Sequence, residues 1–171
     1  MATGHDNQLT RQIGEHLVAA ELGRRGYVAT PFAGNVPMYD LLAADLSGRA
    51  VPIQVKAING PSWQFSARAF LDIEIGEERQ TVNRRLILPN PDLLCIFVFI
   101  RKPGTDEFYI FQLRNLQDHF FKTYKGREKP KNIQSLHCAI WPEELKDFRD
   151  NWGLIDKTLS QTAPGVQHGP C

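Results

Sequence analysis

The sequence predicts a single α/β domain built around a mixed sheet, and three observations predict it. Leu9, Ile13, Leu17 and Ala20 recur at spacings of four, four and three, the period of an amphipathic helix. Val51, Ile53 and Val55 alternate with Pro52, Gln54 and Lys56, the period of a strand with one aliphatic face. Residues 93–100 form an uninterrupted apolar run of eight, suited to a strand buried on both faces. A chain of 171 residues favours one domain. Its 42% hydrophobic and 23% charged residues exclude the disordered and fibrous classes.

Asn7 or Thr10 caps the first helix, and the Gly-Arg-Arg-Gly run at 23–26 stops it. A short strand at 27–30 precedes a loop punctuated by Pro31, Gly34 and Pro37. A hairpin comes next, with arms at 39–44 and 50–57 and a turn at 45–49. Gly60-Pro61 turns the chain into a strand at 63–66, and residues 67–92 are ambiguous apart from a Pro-rich loop at 88–91. The apolar run returns through Pro103-Gly104 as a strand at 108–113, followed by a helix at 116–124. Pro142 opens a last helix whose Leu145, Phe148 and Trp152 share one face. With no internal repeat or linker, residues 1–160 read as one domain and 161–171 as a frayed tail.

Several function classes drop out. The apolar run falls far short of the about 20 residues of a membrane-spanning helix. The first residues carry neither a basic n-region nor an apolar h-region, so a cytoplasmic protein without membrane partners is expected. Cys95, Cys138 and Cys171 form no CxxC pair, which argues against a disulfide scaffold and a zinc ribbon. The five histidines show no HxH or HExxH spacing, and there is no Gly-x-Ser-x-Gly nucleophile motif. Net charge is only +1, but five cations between 122 and 131 (Lys122, Lys125, Arg127, Lys129, Lys131) oppose Glu128 alone. That run reads as a solvated loop or, more pointedly, as a phosphate-contacting one.

The chemistry concentrates on the hairpin. An Asp in a strand of Leu and Ala is disfavoured by propensity and costly if buried alone, which singles out Asp40. A turn centred on Ser47-Gly48 sets Asp40 opposite Val55, within a residue of Gln54 and Lys56. Asp40, the Gln54 side-chain oxygen and the Val55 carbonyl are oxygen donors of the kind magnesium takes, while Lys56 can orient water and offset phosphate charge. Glu15 lies off the apolar stripe of the first helix and reaches the same place if that helix packs beside the hairpin. Taken singly, Glu15 is an ordinary solvated residue, Asp40 a hairpin-edge residue and Lys56 an edge gatekeeper; jointly, in this order, they read as a site. Trp63 and Phe65 read as core or rim packing, and Arg24, Arg25, Arg84 and Arg85 as solvated, with phosphate contact the alternative.

Glu15, Asp40 and the triplet Gln54-Val-Lys56 resemble the signature of PD-(D/E)XK nucleases: a first-helix Glu, an Asp on one hairpin arm, and an acidic-x-Lys on the next. The Gln-x-Lys variant is similar to that of Mrr-like restriction nucleases and some Holliday-junction-resolvase-like proteins, and the match spans residues 10–66. The resemblance implies a restriction-endonuclease-like core, a mixed four-to-five-stranded sheet flanked by helices. It implies hydrolysis of DNA phosphodiesters with magnesium or manganese, Asp40 and Gln54 as metal ligands, Lys56 as the catalytic lysine and Glu15 as an accessory carboxylate. A homodimer is implied too, because cutting both strands needs two sites. Neutral Gln54 departs from the majority pattern and removes a negative charge from the metal site. The alternative is therefore a nuclease-fold module of weak or lost catalysis that binds nucleic acid or a protein.

Overall fold

The computed structural model describes residues 4–32, 38–124, 126 and 132–161. In chain order the elements are α1 (Gly4–Arg24), β1 (Val28–Pro31), β2 (Leu41–Ala44), β3 (Ala50–Ile58), β4 (Trp63–Ser66), β5 (Leu71–Ile75), β6 (Gln80–Arg85), β7 (Leu94–Phe99), β8 (Glu107–Gln112), α2 (Leu113–Thr123), β9 (His137–Ile140) and α3 (Gly153–Gln161). Short 3-10 segments lie at Ala67–Ala69 and Pro142–Phe148. The main sheet has five strands in the order β1-β2-β3-β7-β8 and is mixed: β3 and β7 run parallel, the other neighbours antiparallel. A parallel pair needs a long crossover. Residues 59–93 supply it and carry β4, β5 and β6, which form two small sheets, β5 with β6 and β4 with β9.

The hairpin turn is set by its own residues. The Asp45 carboxylate accepts hydrogen bonds from Ser47 Oγ (2.7 Å), Ser47 N–H (2.9 Å) and Arg49 N–H (3.0 Å), and Gly48 takes the positive φ of 82° that the reversal requires. These bonds, led by that from the Ser47 hydroxyl, pull the Asp45 pKa down to about 2.

Alternation on β3 is as expected: Val51, Ile53 and Val55 are buried, while Pro52, Gln54 and Lys56 are half-buried on the other face. Register departs by one residue. Leu41 pairs with Ile53, so Asp40 stands just before β2, opposite Gln54 and not Val55. The first helix departs further. Leu9 and Ile13 are 50% and 39% exposed, whereas Gly14, Val18 and Leu22 face the sheet. Gly14 explains the rotation, since a Cβ there would collide with that of Ala57 and only glycine lets α1 lie this close to β3. Asn7 and Thr10 fall inside α1 and do not cap it.

The last helix is broken. Asp150 adopts a φ of 53° between the 3-10 segment and α3, and Leu145 and Trp152 enter cores on opposite sides of the sheet. The ambiguous stretch holds the β5–β6 hairpin, anchored by buried Gln80, which donates to the Ser135 carbonyl and accepts from the Tyr124 hydroxyl. Helix α2 starts three residues earlier than expected, at Leu113. No helix among the described residues is long and apolar enough to cross a membrane.

Candidate active-site cleft

Strand β3 is nine residues long and its neighbour β2 only four, so the β2-side edge of β3 is uncovered beyond Ile53. Asp40 closes part of that gap. Its N–H donates to the Ile53 carbonyl at 3.0 Å, and its Oδ2 accepts the Val55 N–H at 2.8 Å, standing in for the carbonyl a longer β2 would have offered. The N–H and C=O of a strand residue leave the same side, so the Val55 carbonyl faces this open edge as well. The carboxylate is thus held in place by backbone and keeps Oδ1 directed elsewhere.

Arg11 takes that second oxygen. Its Nη2 donates to Asp40 Oδ1 at 3.0 Å, and its Nε donates to Glu15 Oε1 at 2.8 Å. The Glu15 and Asp40 side chains are each 12% exposed, the Arg11 side chain 51%. The hydrogen bond to Glu15 raises the Arg11 pKa most; burial opposes it and the charge of Asp40 adds to it. Glu15 reaches this position because it flanks Gly14, the point of closest helix–sheet approach.

Around these groups lies a cleft of about 660 Å³, walled by Asn7, Thr10 and Arg11 of α1, residues 38–40, residues 54–58 of β3, and the connection through to Gln64. Gln54 and Lys56 line it from one face of β3. Lys56 Nζ stands 5.4 Å from the Phe65 ring centre and makes no ion pair among the described residues. Trp63, fully buried, donates its indole N–H to the Lys56 carbonyl at 3.0 Å and packs on Phe97 and Tyr109. Trp63 and Phe65 are therefore packing residues, as expected, and they also brace the strand that carries Lys56. Cys95, opposite Gln54 on β7, is buried, and burial pushes its thiol up to about 12, which leaves it inert as a nucleophile.

The structure therefore brings Asp40, Gln54, Val55 and Lys56 to one cleft, with Glu15 joined through Arg11. Of the basic segment, Lys122 is exposed on the last turn of α2 and does not line the cleft; Lys125, Arg127, Lys129 and Lys131 lie outside the described residues. Arg24 and Arg25 pair with Glu21, Arg84 with Asp72 and Arg85 with Asp118. Sequence reasoning missed Arg11, although its i,i+4 spacing from Glu15 is a legible ion-pair signal.

Comparison with protein-family models and with curated protein sequences returned no match. In three dimensions the chain is similar to a bacterial homing endonuclease, I-Ssp6803I, with a TM-score of 0.50 and 16% identity, over 90% of this chain and 96% of that one. At that identity the likeness bears on the fold: a five-stranded mixed sheet flanked by helices, as in a nuclease.

Proposed function

We propose that this chain is a metal-dependent nuclease of the PD-(D/E)XK type that hydrolyses DNA phosphodiester bonds in the cleft beside β3. The observation that carries this reading is the convergence of Asp40, Gln54 and Lys56 at the open edge of β3, with Glu15 tied to Asp40 through one cation. Likeness in fold to a homing endonuclease supports it.

The donor set fits magnesium or manganese. Two carboxylates, a side-chain amide oxygen and a main-chain carbonyl are hard oxygen donors, and Glu15 and Asp40 already converge on a positive charge. Asp40 Oδ1, Gln54 Oε1 and the Val55 carbonyl would hold the ion, with Glu15 beside them. A bound ion supplies Lewis-acid chemistry at the scissile phosphate. The chain's own groups do the rest. Lys56 Nζ donates to a non-bridging phosphate oxygen and stabilises the charge that builds as water attacks phosphorus. Its ammonium is held near the Phe65 ring, so little reorganisation is needed. The basic run Lys122, Lys125, Arg127, Lys129 and Lys131 would supply phosphate contacts. A homodimer of this chain, presenting two such clefts, would cut both strands of a duplex.

A second reading is favoured by two features of the same cleft: Arg11 occupies the carboxylates, and Gln54 contributes no charge. Both suit a nuclease-fold module that binds nucleic acid or protein with weak or no turnover. A cleavage assay on single-stranded, duplex and branched DNA, with magnesium, manganese or EDTA, separates the two. We expect ion-dependent cleavage that Asp40→Asn and Lys56→Ala each reduce by at least about a hundredfold. Asn can still accept the Val55 N–H, so the fold persists. DNA binding without ion-dependent cleavage selects the module, and wild-type turnover in either variant removes the site.

A further inference from the structure

We propose that Arg11 is an internal counter-cation of the candidate metal site: it holds Glu15 and Asp40 together in the ion-free protein and leaves them when a divalent cation binds. The inference rests on the metal-dependent reading above.

Asp40 has one oxygen committed to the backbone, since Oδ2 accepts the Val55 N–H, so Oδ1 is the oxygen free to meet a cation, and Arg11 Nη2 is what meets it. The same guanidinium serves Glu15 through Nε, which its planar fork allows and a lysine ammonium would do only as a point charge. Two largely buried carboxylates on separate elements are thereby balanced by one positive charge. Without it two negative charges would stand at this site with no side-chain cation bonded to them both.

The arrangement is also releasable. Asp40 is fixed by backbone at both its N–H and its Oδ2, and Glu15 sits on the tightly packed part of α1. Arg11, by contrast, is half exposed on a long stem and borders the cleft beside Thr10 and Asn7. The carboxylates are the rigid partners and the guanidinium the mobile one. A divalent ion entering from the cleft meets ligands already placed and displaces a single side chain. Once displaced, the guanidinium remains at the cleft wall, where a phosphate is the matching bidentate acceptor. Arg11 thus competes with the ion and keeps the empty site from flying apart.

Competition makes a prediction opposite in sign to a structural or ligand-supporting role. Manganese titrations of the full chain, without DNA, are compared for wild type, Arg11→Met, Arg11→Gln and Asp40→Asn by calorimetry. We expect both Arg11 variants to bind manganese about tenfold tighter than wild type, equivalent to about 1.4 kcal/mol, and Asp40→Asn to lose the site. The melting midpoint in EDTA should fall in the Arg11 variants, and manganese should raise it by more than in wild type, because the ligand-linked gain grows as Kd falls. Unchanged or weaker manganese binding in the Arg11 variants, with an Asp40-dependent site intact in wild type, overturns the role of Arg11 alone. No Asp40-dependent manganese binding in any variant overturns the metal-dependent reading and this inference with it.

Discussion

The two faces of the five-stranded sheet are built from different chemistry. One is largely aliphatic: Leu41, Val51, Ile53, Ile96 and Val98 pack against Val18 and Leu22 of α1 and Ile155 and Leu159 of α3, with Phe108 and Trp152 in the same core. The other is aromatic: Phe97, Tyr109 and Phe111 pack against Trp63, Phe70 and Phe120. Strand alternation lets β7 serve both, Ile96 on one side and Phe97 on the other. The aliphatic face is covered by a helix that lies directly on β3 at Gly14. The aromatic face is covered by small sheets and short segments, and its cover thins at β3, where Gln54 and Lys56 stand in place of rings. The cleft lies where the two covers meet, α1 bringing Arg11, to which Glu15 is bonded, from one side and β4 bracing Lys56 from the other.

Adjacent substitutions on β7 test that division with the largest effects on stability. Ile96 and Phe97 are both fully buried, so Ile96→Ala should cost about 2–5 kcal/mol and Phe97→Ala about 3–5 kcal/mol in denaturant unfolding. Their effect on the cleft should differ far more. Phe97 stacks on Phe65 at 5.8 Å and packs against Trp63 at 5.1 Å, the two rings that brace Lys56. In protein still folded, Phe97→Ala should shift the NMR signals of the Lys56 side chain, and Ile96→Ala should leave them in place. Equal shifts from both would mean that the faces are not separate in their service to the site.

The helix-covered face has its own test, at intermediate size. Gly→Ala inside a helix ordinarily gains about 1 kcal/mol. At Gly14 the added methyl would meet the Cβ of Ala57, which cannot rotate away, so overpacking at the upper end of its range, about 3 kcal/mol, should dominate. Gly14→Ala should therefore destabilise by about 2 kcal/mol in thermal or denaturant unfolding. Adding Ala57→Gly should recover part of the loss, a coupling that two independent sites would not show. A stabilised Gly14→Ala protein would place α1 farther from β3 and remove the reason Glu15 is near Asp40.

That same glycine marks the boundary of what the sequence made legible. Period-two alternation correctly put Gln54 and Lys56 on one face of β3, because burial on the opposite face fixes strand parity. The hairpin turn was legible from Asp45, Ser47 and Gly48, whose local bonds create it. Leu9 and Ile13 misled, since counting large apolar residues cannot register a helix that docks through a missing side chain. The exact partner of Asp40 was one residue off because a five-residue turn and a two-residue turn centre differently on Ser47-Gly48. The β5–β6 hairpin was not legible: its stability comes from tertiary partners such as Gln80 and Tyr124, 44 positions apart, and not from a strong local pattern. For Arg11 the spacing to Glu15 shows only a helical ion pair; its second partner, Asp40, is 29 residues away and has no local signal.

The smallest effects should appear at opposite ends of the pH scale, one for each face. On the aromatic side, His119 of α2 lies beside Phe120, with Glu144 at 3.5 Å and Lys122 nearby. Burial lowers its pKa, Glu144 partly opposes this, and Lys122 reinforces it. The unfolded chain then takes up a proton near 6.5 while the folded chain still resists it. Stability from this group is therefore full above about 6.5 and is lost as pH falls through the folded value. On the aliphatic side, Tyr27 donates to Asp156 of α3, and burial first, then that bond, raises its pKa to about 12. The folded chain keeps a proton that the unfolded chain sheds near 10, so this stability is full below about 10 and is lost as pH climbs toward about 12. Melting midpoints measured from pH 5 to 8 and from 9 to 12 should separate the two. His119→Gln should flatten the acid limb and leave the alkaline limb as in wild type, and Tyr27→Phe should do the reverse. An acid limb unchanged by His119→Gln would mean that Glu144 compensates fully for burial, and would move the acid sensitivity of this face to its carboxylates.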